Sequence, residues 1–108
     1  MSCAHTFATS QGHAYARFRR YLDAGQMTNA LAAAYELHRI SLSDSLKLCE
    51  LLARERDSRF PRAASRWLAR FAADASLEDV QLAAAALTHL AADPNSEVAQ
   101  HTLRQLLN

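Results

Sequence analysis

The sequence has few residues that break helices and few that favour strands. Glycine and proline each occur twice in 108 residues, and the only β-branched aliphatic residues are Ile40, Val80 and Val98. Alanine and leucine, which are strong helix formers, number 23 and 16. Because strands draw on valine, isoleucine and aromatic residues, this composition argues against a β-sheet and predicts an all-α fold.

Long apolar stretches and targeting signals are also lacking. The longest uninterrupted apolar run covers residues 82–87, which is far shorter than the roughly 20 residues of a transmembrane helix. The first residues carry neither the basic start nor the apolar stretch of a secretory signal. We therefore expect a cytoplasmic protein without membrane contact, in which Cys3 and Cys49 are free thiols.

Charge is nearly balanced overall but is distributed unevenly along the chain. Residues 1–40 carry a net charge of +2, residues 41–73 carry +3 and residues 74–108 carry −4. Such a chain can neutralise itself internally, pair head to tail with a copy of itself, or present its basic half to an anionic partner.

Apolar periodicity and capping residues predict six helices with short connections, which favour antiparallel neighbours. Residues 1–10 show no periodicity, so we expect a flexible tail before a single helical domain over residues 11–108. Gly25 is placed to end the first helix in a left-handed conformation. The predicted helices cover residues 11–24, 28–38, 41–56, 58–71, 76–92 and 94–107, with caps at Thr9 or Ser10, Thr28, Ser41, Asp57 or Ser58, Ser76 and Asp93.

The expected fold is a compact bundle of five or six short antiparallel helices. An alternative is a stack of helix-pair repeats, because the sequence Ser-Leu-x-Asp begins at Ser41 and again at Ser76. Capping chemistry alone would also produce that match. The predicted core includes Tyr15, Phe18, Tyr21, Leu22, Leu31, Ala34, Tyr35, Ile40, Leu42, Leu46, Cys49, Leu52, Ala53, Leu77, Val80, Ala84, Leu87, Leu90, Val98, Leu103, Leu106 and Leu107.

Residues 58–71 combine two regular patterns on one predicted helix. Apolar residues recur at i, i+3, i+4, i+7, i+8 and i+11, which predicts a buried face centred on Trp67. Arginines recur at i, i+3, i+7 and i+11 and form a second, narrower stripe. The apolar positions are Phe60, Ala63, Ala64, Trp67, Leu68 and Phe71, and the arginines are Arg59, Arg62, Arg66 and Arg70.

The arginine stripe, extended by two arginines that precede it, has two interpretations. As a solvated flank, it lays its stems over apolar neighbours and keeps its charges in water or near acids. As an anion-binding surface, it contacts phosphates or an acidic protein. The stripe lacks the Asn, Gln and Ser side chains that accompany sequence-specific base reading. We call its six members the Arg strip: Arg54, Arg56, Arg59, Arg62, Arg66 and Arg70.

These segments resemble a group of small Ala/Leu/Arg-rich helical proteins of actinobacteria that have no assigned activity. The resemblance covers residues 15–107. It rests on Arg-Ala-Ala-Ser-Arg-Trp-Leu-Ala-Arg-Phe at residues 62–71, on Ser-Leu-Ser-Asp at residues 41–44 and on residues 46–52. It implies an all-helical fold and a bacterial cytoplasmic setting, and it transfers no site residues.

Few groups of residues in the sequence have the spacing of a metal site or of a catalytic site. No two of the five histidines stand four residues apart and no Cys-x-x-Cys occurs, so we expect no metal site. The acid pair Glu78/Asp79 lies at a predicted helix N-terminus, where acids complement the helix dipole, and the pair Glu55/Asp57 lies at the junction of the third and fourth helices, where capping explains it. Cys49 faces inward and is expected to act as a small apolar residue. We therefore expect no enzyme, no cofactor and no small-molecule substrate.

Two functions follow from these features. The first is a non-catalytic protein–protein interaction module or small homo-oligomeric adaptor, with a protein partner or a second copy. The alternative is a nucleic-acid-associated protein that binds the phosphate backbone through the Arg strip. Salt separates them, because backbone binding weakens steeply as salt rises, whereas an apolar interface does not weaken in this way.

Overall fold

A computed structural model of the chain describes residues 3–108, with side chains from Gly12 onward. These residues form six α-helices and no strand, so the predicted all-α class is confirmed. The chain divides into two compact units, Met1–Ile40 and Ser41–Asn108. The single domain over residues 11–108 stays a prediction. The helices are α1 (Cys3–Asp23), α2 (Met27–Tyr35), α3 (Leu42–Arg54), α4 (Phe60–Ala72), α5 (Leu77–Ala92) and α6 (Glu97–Leu106).

The first unit consists of α1 and α2, which pack on each other. Arg17 on α1 forms an ion pair with Glu36, the residue that caps the end of α2. The α2 positions that are buried carry alanine, whose small side chain lets helices approach closely. Among the side chains described in this unit, from Gly12 onward, the buried ones are Ala14, Phe18, Leu22, Ala30 and Ala33.

The end of α1 has the geometry that the sequence predicts. Gly25 has a φ of +72°. Its N–H donates to the Leu22 carbonyl at 3.1 Å, and the Gln26 N–H donates to the Tyr21 carbonyl at 2.9 Å. These two bonds form the Schellman arrangement, in which a residue in the left-handed region closes the helix. Glycine adopts that conformation without steric cost.

The start of α1 differs from the prediction. The helix begins at Cys3, eight residues before the predicted first residue, and so includes most of the segment assigned to a tail. Once a helix has nucleated, it can extend through alanine-containing sequence that has no apolar periodicity. Although α1 has 21 residues, no helix within residues 3–108 is long and apolar enough to cross a membrane. Met1, Ser2 and the side chains of Cys3 and His5 lie outside the described residues.

The second unit is arranged around α3. Residues on most sides of α3 are buried, including the consecutive residues 49–53, and a narrow stripe with Lys47 and Arg54 stays accessible. Helix α3 packs on α4 and α5, α4 packs on α5, and α5 packs on α6. A helix that is buried on most sides holds the centre of its unit.

Successive helices of the second unit run in opposite directions. One cleft is lined by Leu42 at the start of α3, Phe71 at the end of α4, Asp79 at the start of α5 and Leu107 just after α6. The first turns of α3 and α5 therefore lie at the same end as the last turns of α4 and α6. The antiparallel arrangement predicted from the short connections is confirmed for this unit.

The caps of α3 and α5 are the ones that the repeated motif predicts. The Ser41 Oγ accepts the Asp44 N–H at 3.0 Å, and the Ser76 Oγ accepts the Asp79 N–H at 3.1 Å. Each motif starts the first helix of a pair, α3–α4 or α5–α6, as a helix-pair repeat requires. Because capping chemistry gives the same result, the repeat stays an interpretation.

Two other predicted caps are wrong. Helix α6 begins at Glu97 and not at Pro94, because the Ser96 Oγ accepts the Ala99 N–H at 3.2 Å. The Asp93 carboxylate instead accepts a backbone N–H inside the preceding turn. Helix α2 begins at Met27 without a side-chain cap, and it ends at Tyr35, three residues early.

Four predicted core residues are exposed: Tyr15, Tyr35, Leu77 and Val98 have 45%, 89%, 73% and 73% of their surfaces accessible. Leu77 and Val98 lie in first turns, and Tyr35 is the last residue of α2. At a helix end, a residue on the apolar stripe can project past the neighbouring helix. The correct periodicity therefore does not ensure burial there.

Candidate interaction surfaces

Trp67 fixes α4 against α3. Its side chain is 1% exposed, and its indole N–H donates to the Leu42 carbonyl at 2.8 Å. Its ring stacks on Phe71 with 5.2 Å between centroids. A buried indole needs such an acceptor. The buried face predicted for α4 is confirmed at Phe60, Ala64, Trp67 and Phe71, while Ala63 and Leu68 are half-buried.

Helix α4 has two exposed flanks, one on each side of this buried face. With 100° of rotation per residue, Pro61, Ser65 and Leu68 lie next to the buried face, on the side of the helix that faces α5. The arginines of α4 and its N-cap Arg59 occupy the other side, within roughly 80° of one another. The same helix therefore separates an uncharged flank from a basic flank.

A groove of about 330 Å³ lies between α4 and α5, on the uncharged flank. Its floor includes the buried side chains of Phe60, Ala64 and Leu87. No residue that lines it is ionisable. We call it the α4–α5 groove, and its remaining lining residues are Pro61, Ser65, Leu68, Ala84, Thr88 and Ala91.

The α5 wall of this groove continues toward the start of α5. Leu77, Ala84 and Ala91 recur every seven residues, and Gln81 and Thr88 lie four residues after the first two. All five are uncharged, and all except the half-buried Ala84 are exposed. We call them the α5 stripe. Small residues on a helix surface let another helix approach closely.

The six members of the Arg strip are all exposed. Arg54 is the last residue of α3, and Arg56 lies in the connection between α3 and α4. The other four lie at the N-cap of α4 or within α4. Arg70 lines the cleft at the end of the unit together with Asp74 and Asp79. The basic surface is therefore bordered by acids where α4 ends.

Arg59 forms an ion pair with Asp57, two residues earlier in the chain. Its guanidinium contacts both carboxylate oxygens of Asp57, with Nε to Oδ1 at 2.8 Å and Nη2 to Oδ2 at 2.9 Å. The Arg59 N–H donates to the same carboxylate at 2.8 Å. These bonds lower the pKa of Asp57 to about 2. The predicted cap at Asp57 or Ser58 is therefore wrong: Asp57 accepts a backbone N–H in the turn before α4, and the N-cap residue is Arg59.

Arg56 adopts a conformation that usually requires glycine. Its φ is +50°, its N–H donates to the Ala53 carbonyl, and the Asp57 N–H donates to the Leu52 carbonyl, both at 3.0 Å. This is the arrangement that Gly25 makes at the end of α1. A side chain in the left-handed region costs roughly 1 kcal/mol. The Arg strip therefore includes one residue at a strained position.

An ion pair between a buried glutamate and an exposed arginine, which sequence reasoning missed, joins α3 to α6. Glu50 is 3% exposed, and its Oε1 accepts from Arg104 Nη2 at 2.8 Å. Its other oxygen is buried without a hydrogen-bond partner. Burial raises the pKa of Glu50, and the charges of Arg104, Arg54 and Lys47 oppose that rise. The available signal was a glutamate within the apolar run of α3.

The other residues with chemical potential are in structural positions. Cys49 is 1% exposed as predicted, and burial followed by the charge of Glu50 raises the pKa of its thiol to about 12. A thiol with so high a pKa is not a nucleophile at neutral pH. Glu78 and Asp79 lie in the first turn of α5, where acids complement the helix dipole.

Among the described residues, no three His, Cys, Asp or Glu side chains come together in a way that could hold a metal ion. Comparison of the chain with protein-family models, curated proteins and solved structures finds no match. The resemblance to the actinobacterial proteins therefore stays a prediction.

Proposed function

We propose that the chain is a non-catalytic protein–protein interaction module that docks the apolar face of another helix in the α4–α5 groove. The observation that carries this proposal is the groove itself, about 330 Å³ in volume and lined by uncharged residues only. A trough between two antiparallel helices is suited to a third helix, as in other helix-in-groove complexes. In line with the sequence, we place this module in a bacterial cytoplasm.

The ionisable groups support binding over catalysis. Glu50 and Asp57 are committed to Arg104 and Arg59, and the Cys49 thiol is held protonated by burial. A catalytic acid or base needs access to substrate and a pKa near the working pH. None of these three groups combines the two properties.

Site-specific photo-crosslinking in the native cell tests the groove. A benzophenone amino acid at Thr88, which lines the groove, should form an adduct with a second polypeptide. The matched control is the neighbouring His89, which is exposed but does not line the groove. The Thr88 adduct should disappear when Ser65→Arg places a charge in the groove, and it should persist in Ala69→Arg on the same helix. Equal adducts from both positions, or none, would contradict the proposal.

The exposed Arg strip favours a second function, binding of a nucleic-acid phosphate backbone. Arg54, Arg56, Arg62 and Arg66 are all exposed, and guanidinium groups in such a row suit phosphates. Retention on duplex DNA at low salt, lost steeply as salt rises, would support this function. A chain that does not bind duplex DNA at low salt does not have it.

A further inference from the structure

We infer that Lys47, Arg54 and Arg104 together bind a dianionic phosphate group beside the buried carboxylate of Glu50. This site lies between α3 and α6, whereas the groove of the proposed function lies between α4 and α5. The inference therefore goes beyond the proposed function. We call these four residues the α3–α6 cluster.

Three cationic side chains from two helices surround one carboxylate. On α3, Lys47 and Arg54 lie three residues before and four residues after Glu50, and this spacing places them on the same side of the helix. From α6, Arg104 Nη2 donates to Glu50 Oε1 at 2.8 Å. Lys47 and Arg54 are only about 10 Å apart along the helix, a gap that two long side chains can close around one ion. One anion can therefore contact all three cations, whereas the arginines of α4 follow one another in a row.

The α3–α6 cluster carries more positive charge than the chain neutralises. Glu50 supplies one negative charge against the three positive charges that act on it, which leaves a net charge of +2. Within the described part of the chain, neither Lys47 nor Arg54 forms an ion pair. A phosphate monoester carries up to two negative charges at neutral pH, and each phosphodiester of a nucleic-acid backbone carries one. The net charge of the cluster therefore fits a monoester or free phosphate better than a backbone.

Glu50 holds Arg104 in position for such a ligand. Only 3% of the Glu50 side chain is exposed, compared with 53% of the Arg104 side chain. The guanidinium is therefore fixed at its buried edge and still faces solvent. It has five N–H donors, of which the bond to Glu50 uses one. A guanidinium that is already held loses less conformational freedom when it binds an anion, so we assign Glu50 as a positioning residue.

Isothermal titration calorimetry of the full chain, at constant ionic strength, tests the site with three probes. Methyl phosphate is the monoester, inorganic phosphate is the free ion, and dimethyl phosphate is the diester with a single charge. At slightly alkaline pH we expect the first two to bind at millimolar concentration. Dimethyl phosphate should bind at least about fivefold more weakly, which is the effect of one close charge pair in water.

Single charge removals locate the binding. Lys47→Gln and Arg54→Gln should each weaken the binding of methyl phosphate at least about fivefold. Arg66→Gln removes the same charge from the exposed flank of α4 and should leave that binding unchanged. Because none of these changes touches a buried side chain, circular dichroism should show the helices retained in all three.

The pH dependence of sulfate binding tests the part that Glu50 plays. A bound anion favours the protonated carboxyl, so sulfate, which stays doubly charged, should bind more tightly as the pH falls toward the raised pKa of Glu50. The buried residues of α4 and α5 are all apolar, but Glu97 and His101 lie on the same side of α6 as Arg104 and titrate in this range. The measurement therefore uses a Glu97→Gln, His101→Gln background. Adding Glu50→Gln to it should remove the pH dependence.

Each result supports or overturns the inference. Binding of methyl phosphate assigns the site to an ester, and binding of inorganic phosphate alone assigns it to the free ion. A chain that binds neither overturns the site, and so does an equal loss in Lys47→Gln and Arg66→Gln, because binding would then follow net charge. Sulfate binding that does not tighten as the pH falls overturns the role of Glu50.

Two further results separate the site from the other proposals. If dimethyl phosphate and duplex DNA bind as tightly as methyl phosphate, Arg54 acts as part of a backbone-binding Arg strip and the inference fails. A Thr88 adduct in a chain that binds no phosphate would keep the interaction module and remove this site.

Discussion

Both flanks of α4 carry exposed residues, yet the two flanks differ in what they can contact. The side toward α5 presents Pro61, Ser65 and Leu68 and has no charge, whereas the opposite side carries Arg62 and Arg66. An uncharged surface can be buried against a partner at little desolvation cost, while guanidinium groups require water, acids or phosphates. A single helix thus offers one surface for apolar contact and another for anions.

The buried face between the flanks determines whether either surface exists. Trp67 is held by its bond to Leu42 and by stacking on Phe71, so it fixes the rotation of α4 about its axis. Rotation by one residue position, about 100°, would move arginines toward the core. Both flanks therefore depend on the packing of the α4 core.

Removing Trp67 should have the largest effect because it breaks both flanks together. Trp67→Ala deletes a fully buried side chain and leaves the Leu42 carbonyl without its indole donor, which should cost about 3–5 kcal/mol. Urea unfolding measures the loss, and Trp67→Phe separates ring packing from the hydrogen bond. A destabilisation below about 1 kcal/mol for Trp67→Ala would show that α4 is held by other contacts.

The core of α4 could be predicted because its pattern is redundant. Six apolar positions agree on one face, so the burial of Trp67 follows from periodicity alone. The caps at Ser41 and Ser76 could also be predicted from the sequence, because a capping bond joins residues that are close in sequence. Patterns that a helix satisfies within itself can be read without knowing the neighbouring helices.

The candidate site was harder to predict because it depends on pairs of helices. The groove needs Ser65 and Thr88 on facing flanks, and these residues are ordinary surface positions in sequence. Glu50 meets Arg104 across 54 residues, and no local rule relates the two. Leu77 was misplaced because its periodicity fits the core while its position at a helix start exposes it. Tertiary neighbours decided all three cases.

Breaking the Glu50 ion pair should have the next largest effect. Arg104→Met leaves a buried carboxylate without its hydrogen-bond donor and should cost about 1–3 kcal/mol at neutral pH. Arg66→Met, the matched change on the basic flank of α4, should stay within about 0.5 kcal/mol. Thermal or urea unfolding of both variants measures the difference, and equal costs would mean that the pair contributes nothing specific.

The same variant has a defined pH dependence. The pKa of Glu50 in the folded chain lies above its ordinary value of 4.5, so folding takes up a proton as the pH falls through this range. The stabilisation that this proton uptake contributes is fully present below pH 4.5, and it is lost as the pH rises through the pKa of Glu50 in the folded chain. Since protonated Glu50 needs no cation, the cost of Arg104→Met should shrink toward pH 4.5. In Glu50→Gln this pH dependence should be absent, and its persistence there would contradict the assignment.

At Arg56 we expect a smaller change in the free energy of unfolding, and this change should stabilise the chain. Arg56→Gly relieves a side chain held at φ +50°, which should stabilise the chain by up to about 1 kcal/mol, less the entropy that glycine adds to the unfolded state. Arg54→Gly, two residues earlier and within α3, should instead destabilise it by about 1 kcal/mol. If urea unfolding shows changes in the free energy of unfolding of opposite sign for the two variants, the left-handed turn is confirmed. Destabilisation by both variants would contradict it.

The smallest change in stability, and the sharpest test of the basic flank, is expected from Arg62→Gln combined with Arg66→Gln. Both residues are exposed, so the double variant should stay within about 0.5 kcal/mol of wild type in urea unfolding. If the Arg strip contacts phosphates, the variant should bind duplex DNA more weakly for every sequence, and the slope of affinity against salt should fall by about one per charge removed. Fluorescence anisotropy at several salt concentrations measures this slope. Ser65→Arg, which adds a charge on the uncharged flank, is the control for net charge and should not reduce DNA binding. If wild type fails to bind at low salt, or the double variant binds as well as wild type, the basic flank is a solvated surface and the uncharged flank is left as the functional side of α4.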